Sequence, residues 1–288
     1  MGLENFIPEL WSDRLLVKLR KNLVFGSVVN KDYEGEIRNI GDSVHINEIG
    51  PVTANSYTKG STLTYEDLDS AGKNLVIDQA TSFSFKIDDI DNAQSNPKLM
   101  NAAMNDASYR IADTIDAYIA GLYPHAGVTD TTNMGSSSSP ISVSSGNIIL
   151  VLSYMGRYLS DKNVPIENRM CIIPPWVHQK MLLAEIGGIS ATAVPKVFSD
   201  ETITSGFIGQ AMGFQFLLSN NVQSSATAVS AIMALNRSAI TYAGQLTTIE
   251  AIRLQTTFAS AARGLYLYGA KVVQPDALGC AHLTEVAG

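Results

Sequence analysis

The chain has 288 residues and a mass of 30.9 kDa, enough for one large or two modest cores, and with 45% hydrophobic residues and a mean hydropathy of +0.09 it is neither disordered nor collagen-like. Only 16% of residues are charged, against about 25% in an average soluble domain, so something other than water is expected to cover part of the surface. Net charge is −7 with a pI near 5.1, which supplies no global field for phosphates; tight DNA binding is disfavoured, whereas enclosing DNA without gripping it is not.

The longest apolar runs, Ile148 to Leu152 and Ala231 to Leu235, fall far short of the roughly 20 residues of a membrane span. The start, Met-Gly-Leu-Glu-Asn-Phe, lacks a basic region followed by an apolar run and reads as cytosolic. Cys171 and Cys280 are too few for a disulfide framework or a zinc knuckle and are expected to be small buried residues.

In chain order, Leu15, Leu16, Leu19 and Leu23 repeat at helical spacing with Arg14, Lys18, Arg20 and Lys21 between them. This reads as a basic amphipathic helix or as an arm, outside the main core, that docks on something acidic. From Gly35 to Asp91 the period changes to two: Val44 and Ile46, then Leu75, Ile77, Phe83, Phe85 and Ile87, alternate with polar neighbours. Two strands therefore face each other across the long polar connection Gly50 to Gly72. Such a connection far exceeds a hairpin loop, and an isolated two-stranded ribbon is marginal in water, so this segment is expected to reach another subunit.

Asn96 and Pro97 have helix-start chemistry. Leu99, Ala103, Ala107, Ile111, Ile115, Tyr118 and Leu122 then form one stripe, Asp106 and Arg110 can pair on another face, and Pro124 stops the helix. Thr129 to Ser145, with serines at 136 to 139, reads as a surface loop and domain boundary. Beyond it the pattern alternates: a helix near Asn147 to Leu159, a strand Met170 to Ile173, and a helix near Trp176 to Ala184 ended by Gly187-Gly188. Strands follow at Gln215 to Ser219, Ala228 to Leu235, Thr247 to Leu254 and Gly264 to Val273. The fold class is α+β.

Chemistry-bearing motifs are missing from this pattern. The four histidines have no HExxH or HxH spacing; His178 reads as a packing or capping residue. Asp88, Asp89 and Asp91 do not fit an EF-hand loop, because Ala93 stands where that loop needs glycine. There is no P-loop and no GxSxG elbow, and Gly206, Gly209 and Gly213 read as turn and bulge positions. No enzyme, cofactor or metal is expected, and the chain reads as a structural protein.

The segments Phe6-Ile7-Pro8-Glu9-Leu10-Trp11, Leu23 to Asn30, Tyr33 to Ile37 and Gly41 to Ile46 resemble the N-terminal region of tailed-bacteriophage major capsid (coat) proteins. Gly206 to Asn221 resembles their axial-domain segment, and Arg263 to Leu278, with its Tyr-Gly-Ala-Lys-Val-x-x-Pro pattern, their C-terminal peripheral strand. The resemblance implies the Hong Kong ninety-seven capsid fold: an N-terminal arm (1–34), an extended E-loop (35–91), a peripheral domain with a long spine helix (92–145), an axial domain (146–255) and a return to the peripheral domain (256–288).

It also implies a shell protein of the virion, assembled in the bacterial host cytoplasm through pentamers and hexamers into an icosahedral capsid around double-stranded DNA. The implied partners are the chain itself, a portal protein, in some relatives a decoration protein, and a separate scaffolding protein, since the chain has no room for a cleavable scaffolding region. Intersubunit contacts are expected from Val52, Tyr57, Lys59, Leu63, Tyr65, Glu66, Asp67 and Asp69 of the E-loop and from basic Arg14, Lys18, Arg20 and Lys21 of the arm. Lysine–asparagine crosslinking, known in some relatives, is not carried over, because nothing marks a partner for Lys59. The alternative is an encapsulin-like bacterial compartment, which shares the fold but loads enzymes through a cargo peptide; the coat-like N-terminal run argues against it.

Overall fold

The computed structural model describes residues 24–33, 41–49, 70–88, 98–127, 130–184, 207–226, 228–254 and 259–286, with the single positions 56, 59, 60, 62 and 256. Its centre is an antiparallel pair of 14-residue strands, β10 (Ile240–Arg253) and β11 (Ala259–Val272), in register from Ile240 opposite Val272 to Arg253 opposite Ser260. A bulge between Leu246 and Thr248 shifts the pairing once. On the other side of β11 lies β3 (Gln79–Asp88), running from Gln79 opposite Tyr268 to Asp88 opposite Ala259.

Strand alternation gives this sheet two different faces. On one face, Tyr242, Tyr266 and Tyr268 meet Ile111, Ile115 and Ile119 of the long helix α2 (Lys98–Ala120). The polar ends of the tyrosines are satisfied within the layer: the Tyr242 and Tyr266 hydroxyls are 3.0 Å apart, and Tyr268 reaches Thr81 Oγ1 at 3.2 Å. The Tyr118 ring meets Tyr268 edge to face with centroids 5.3 Å apart, the arrangement that aromatic quadrupoles favour. Gly244 and Gly264 make room for these rings, since a Cβ at Gly244 would strike the Tyr242 and Tyr266 hydroxyls and one at Gly264 the Phe83 ring.

Helix α2 has 23 residues, about 35 Å at 1.5 Å per residue. It stops at Ala120, and Pro124 sits inside a separate 3₁₀ turn, Tyr123–His125. The apolar stripe is broader than its spacing indicates, because Ala112 and Ile119 are buried as well as Ile111 and Ile115. Asp106 and Arg110 pair at 3.7 Å on the exposed face.

The second core is built on a sheet of order β4-β12-β9-β5-β7-β6, with β8 (Ser224–Ala226) beside β9. Its strands are β4 (Ile141–Val143), β5 (Arg169–Ile173), β6 (Phe207–Ala211), β7 (Phe214–Leu218), β9 (Val229–Asn236) and β12 (Leu278–Glu285). Against one face, α4 (Ile148–Asp161) and α5 (Pro175–Leu182) pack Leu152, Met155 and Val177 onto Cys171, Phe214, Phe216 and Ile232. Ile172, Leu217, Met233 and Leu235 point the other way and belong to the first core. The strands β5 and β9 are thus apolar on both faces, as expected where both are covered. Met212 (φ 53°) and Gly213 (φ 80°) form the two-residue turn between β6 and β7, a conformation that favours glycine at a tight hairpin.

Several sequence expectations need correction. Thr129 to Ser145 is not a plain loop: Asp130 caps the one-turn helix α3 (Thr131–Met134) by accepting from the Thr132 and Asn133 N–H groups, and β4 pairs in parallel with β12. Met134 and Val143 are buried there, but elements of three or four residues are too short to show a period. Residues 24–30 do not lie outside the core either. The turn α1 (Phe25–Val28) buries Phe25 and Val28 with Val29, and Asn30 bridges to Thr241 of β10. Strand β10 begins seven residues before the predicted Thr247, because its first half is buried on both faces and interrupted by Gly244. The Asn96-Pro97 start and the Gly187-Gly188 stop lie outside the described residues.

Ile115 is fully buried between α2 and the tyrosine layer. Ile115→Ala should lower subunit stability by about 2–5 kcal/mol through the cavity it leaves, read as a drop in the midpoint of chemical unfolding. Ile115→Asp should prevent recovery of soluble subunit altogether, since it buries an unpaired carboxylate.

Candidate assembly surface

The second face of the β10-β11-β3 sheet carries a two-stranded ribbon of β1 (Ser43–Ile49) and β2 (Ser70–Val76), paired antiparallel from Ser43 opposite Val76 to Ile49 opposite Ser70. Its base is fixed by period-two burial: Val44, Ile46, Leu75 and Ile77 pack on Ala243, Leu267 and Val273. Polar contacts close the same joint. Gly41 N–H donates to the Ile77 carbonyl at 2.9 Å, Ile77 N–H to the Asp42 carbonyl at 3.0 Å, and Lys271 Nζ to the Asn74 carbonyl at 2.8 Å, while Lys73 Nζ donates to the Val273 carbonyl.

The joint depends on Gly269 of β11. A Cβ there would overlap the Val76 carbonyl and lie 3.1 Å from Ile77 Cα, so only a residue without a side chain lets the ribbon backbone approach this closely. After Val76 the chain makes a two-residue crossing and enters β3 of the larger sheet. The period-two run from Leu75 to Ile87 is therefore two strands in two sheets, a break that periodicity alone does not reveal.

Residues 50–69 join the far ends of β1 and β2. Within them Lys59 is exposed in a turn beside Gly60 (φ 94°), which has open space around it. Val52, Tyr57, Leu63, Tyr65, Glu66, Asp67 and Asp69 lie outside the described residues, as do Arg14, Lys18, Arg20 and Lys21. Of the residues that close this joint, Gly269 and Lys271 lie in the Tyr-Gly-Ala-Lys-Val-x-x-Pro pattern of the sequence, which carried the resemblance without indicating a joint, and Lys73 had no sequence signal.

The two cores are locked to each other by polar contacts near the end of α4. Tyr158 donates its hydroxyl hydrogen to the Gly127 carbonyl at 2.5 Å, Gly127 N–H donates to the Pro275 carbonyl at 2.9 Å, and Lys162 pairs with Asp276 at 3.0 Å. Inside the second core, the buried guanidinium of Arg169 donates to the carbonyls of Pro165 at 2.9 Å, Val164 at 2.5 Å and Gly156 at 3.3 Å and to Ser160 Oγ at 3.0 Å. It neutralises the carbonyl-rich end of α4, although burial holds its pKa below the usual arginine value.

No described helix is long and apolar enough to cross a membrane, and among the described residues no three His, Cys, Asp or Glu side chains gather to hold a metal ion. Both cysteines are free and buried, as expected, and burial pushes the Cys280 thiol up to about 12 and the Cys171 thiol higher still.

The protein-family model for phage capsid proteins matches residues 73–282, which include β3, α2 and most of both cores and of β12. The chain belongs to the phage capsid protein family. Its fold is the Hong Kong ninety-seven capsid fold, and the chain is a structural protein of the virion capsid. A solved structure from Mycobacterium phage Che8 is 25% identical over 99% of this chain and 94% of its own, with a TM-score of 0.66. The capsid of cyanophage P-SCSP1u is 16% identical over 93% of this chain and 89% of its own, with a TM-score of 0.63. A virus-like particle from Pyrococcus furiosus shares the fold more distantly, at 12% identity over 95% of this chain and 98% of its own, with a TM-score of 0.53. No curated protein matches the sequence at a significant level.

Gly269→Ala should strain the ribbon joint at a cost of about 1–3 kcal/mol, typical of overpacking. Hydrogen exchange should quicken in residues 70–77 while residues 148–161 of α4 keep their protection. Equal loosening of both would show that the glycine serves the whole subunit.

Proposed function

We propose that the chain is the major capsid protein of a tailed bacteriophage, self-assembling through pentamers and hexamers into an icosahedral shell that encloses double-stranded DNA. The observation that carries this reading is the ribbon, which is anchored at its base and carries residues 50–69 at its other end, beyond the anchoring cluster. Residues 1–23 would then be the arm, residues 50–69 with β1 and β2 the E-loop, α2 the spine helix and the β5-β7-β9 sheet the axial domain.

Glu66, Asp67 and Asp69 stand against Lys59 in that segment, so its partner surface on the adjacent subunit would be basic and its contribution to assembly salt-sensitive. Val52, Tyr57, Leu63 and Tyr65 would supply apolar contacts to the same neighbour. Arg14, Lys18, Arg20 and Lys21 would meet a scaffolding protein or a neighbouring subunit. A portal protein, and a decoration protein where one exists, complete the partners, and assembly would take place in the bacterial host cytoplasm.

The decisive experiment replaces residues 52–67 with a short Gly/Ser linker and compares thermal unfolding with electron micrographs. The subunit should melt normally and fail to close shells. Closed shells of normal size from that variant would overturn the intersubunit assignment, and loss of the melt would place the segment in the core.

The net charge of −7 further implies a wall that does not grip its genome, because a basic wall would retain phosphates more tightly with each added contact. Unassembled subunits should bind duplex DNA more weakly than micromolar at about 150 mM salt. An encapsulin-like compartment would differ in content: particles recovered from the native host would hold a protein cargo and no genome.

A further inference from the structure

Asp116 lies in the middle of α2, on its buried side, and is 3% exposed. Two other pieces of chain meet on this one carboxylate. Phe25 N–H, at the start of α1, donates to Asp116 Oδ1 at 2.7 Å, and Phe25 itself is 2% exposed. Asn221, in the turn between β7 and β8, donates from Nδ2 to Asp116 Oδ2 at 3.2 Å and to Asp113 Oδ1 at 2.7 Å. The first contact spans 91 residues of sequence and the second 105, so neither is set by the local chain.

A carboxylate taken out of water needs donors on its lone pairs, and here each oxygen has its donor on a different segment. The two oxygens are fixed in one plane. A rotation of the group that follows one donor therefore carries the other oxygen away from its own. Each segment also has a hold on the subunit that does not involve Asp116. Phe25, Val28 and Val29 are buried in the first core, Asn30 N–H donates to the Ile240 carbonyl at 2.9 Å, and Tyr242 N–H donates to the Asn30 carbonyl at 2.8 Å. In the turn, Gln223 Nε2 donates to the Ala117 carbonyl at 3.1 Å and Asn221 N–H to Ser219 Oγ at 3.1 Å. These contacts keep both segments in place when the shared group is disturbed, so a disturbance changes local opening and leaves the fold intact.

We propose that the Asp116 carboxylate couples the N-terminal segment 24–30 to the 219–223 turn of the second core, so that loosening either one loosens the other. Such a linkage is reciprocal by thermodynamic necessity. It is also local, because α4 packs on the opposite face of the second sheet. Its use in assembly rests on reading residues 1–23 as an arm: a pull on the arm by a neighbouring subunit would reach the second core through α2. The coupling itself belongs to the single subunit and stands or falls without that reading.

The test is hydrogen exchange at one pH on the purified, unassembled subunit, with residues 148–161 of α4 as the internal reference, so the result does not depend on whether shells form. Asn221→Ala should quicken exchange of residues 24–30 by about two- to tenfold, the range expected for groups coupled by direct contact, while α4 is unchanged. Gln223→Ala removes a bond from the same turn to α2 that bypasses Asp116, and it should leave residues 24–30 at the wild-type rate. In the reverse direction, Val28→Ala loosens the segment from its apolar side and should quicken residues 219–226, an effect that should vanish in the Asn221→Ala background. Unchanged exchange of residues 24–30 in Asn221→Ala would overturn the proposal, as would equal quickening in Gln223→Ala. Should Asn221→Ala not fold, Asn221→Ser, whose shorter side chain cannot span to Asp116, decides by the same comparison.

Discussion

Everything in this subunit hangs on β10 and β11, because their two faces serve different neighbours. The tyrosine face holds α2, and the opposite face, with Ala243 of β10 and Leu267 and Gly269 of β11, holds the ribbon. The demands are opposite. Aromatic rings want height above one face, and a backbone joint wants none above the other. Strand alternation satisfies both within consecutive residues: Leu267 and Gly269 face the ribbon while Tyr266 and Tyr268 face the helix. A register slip of one residue would exchange these faces along the strand, and the 13 residue pairs that join β10 to β11 oppose it.

What could be read from the sequence divides along physical lines. Helix α2 was legible because Ile111 and Ile115 sit on a long, uninterrupted 3.6-residue stripe. The ribbon was legible because Val44 and Ile46 are buried on one face only, so polar residues mark the other. Strand β12 was not, since Leu278 to Ala281 is buried throughout and shows no alternation, and β4 and α3 are too short for any period. Residues 24–30 were misplaced for a different reason. Their burial depends on Asp116 and Ile240, which lie 91 residues away or more, and no local pattern encodes a contact at that range. The candidate contact residues came from resemblance and charge, and the joint at the base of the ribbon became visible only when Gly269 was seen facing Val76.

Low charge content and the polar contacts of this chain fit one another. The ion pairs seen in the described residues, such as Asp106 with Arg110 and Arg157 with Asp161, are mostly exposed, where each contributes well under 1 kcal/mol. The buried and half-buried polar groups do more. Arg169 neutralises the end of α4, Asp116 joins α1, α2 and the Asn221 turn, and Tyr158 ties the second core to Gly127. Each sits where pieces of chain from distant parts of the sequence meet, so they determine relative placement more than total stability.

A shell protein has to fold before it meets its neighbours and then change its contacts without unfolding. The ribbon meets the first requirement because its apolar residues at 44, 46, 75 and 77 are buried within the subunit. The second requirement needs joints whose strength differs from that of the cores. Packing alone cannot supply it, since close-packed interiors resist graded change, whereas a few hydrogen bonds at Lys73, Lys271, Asn221 and Gly127 can be exchanged for others at little net cost. Adjustment would therefore occur at these polar joints, with the helix-on-tyrosine layer and the α4 core moving as units around them.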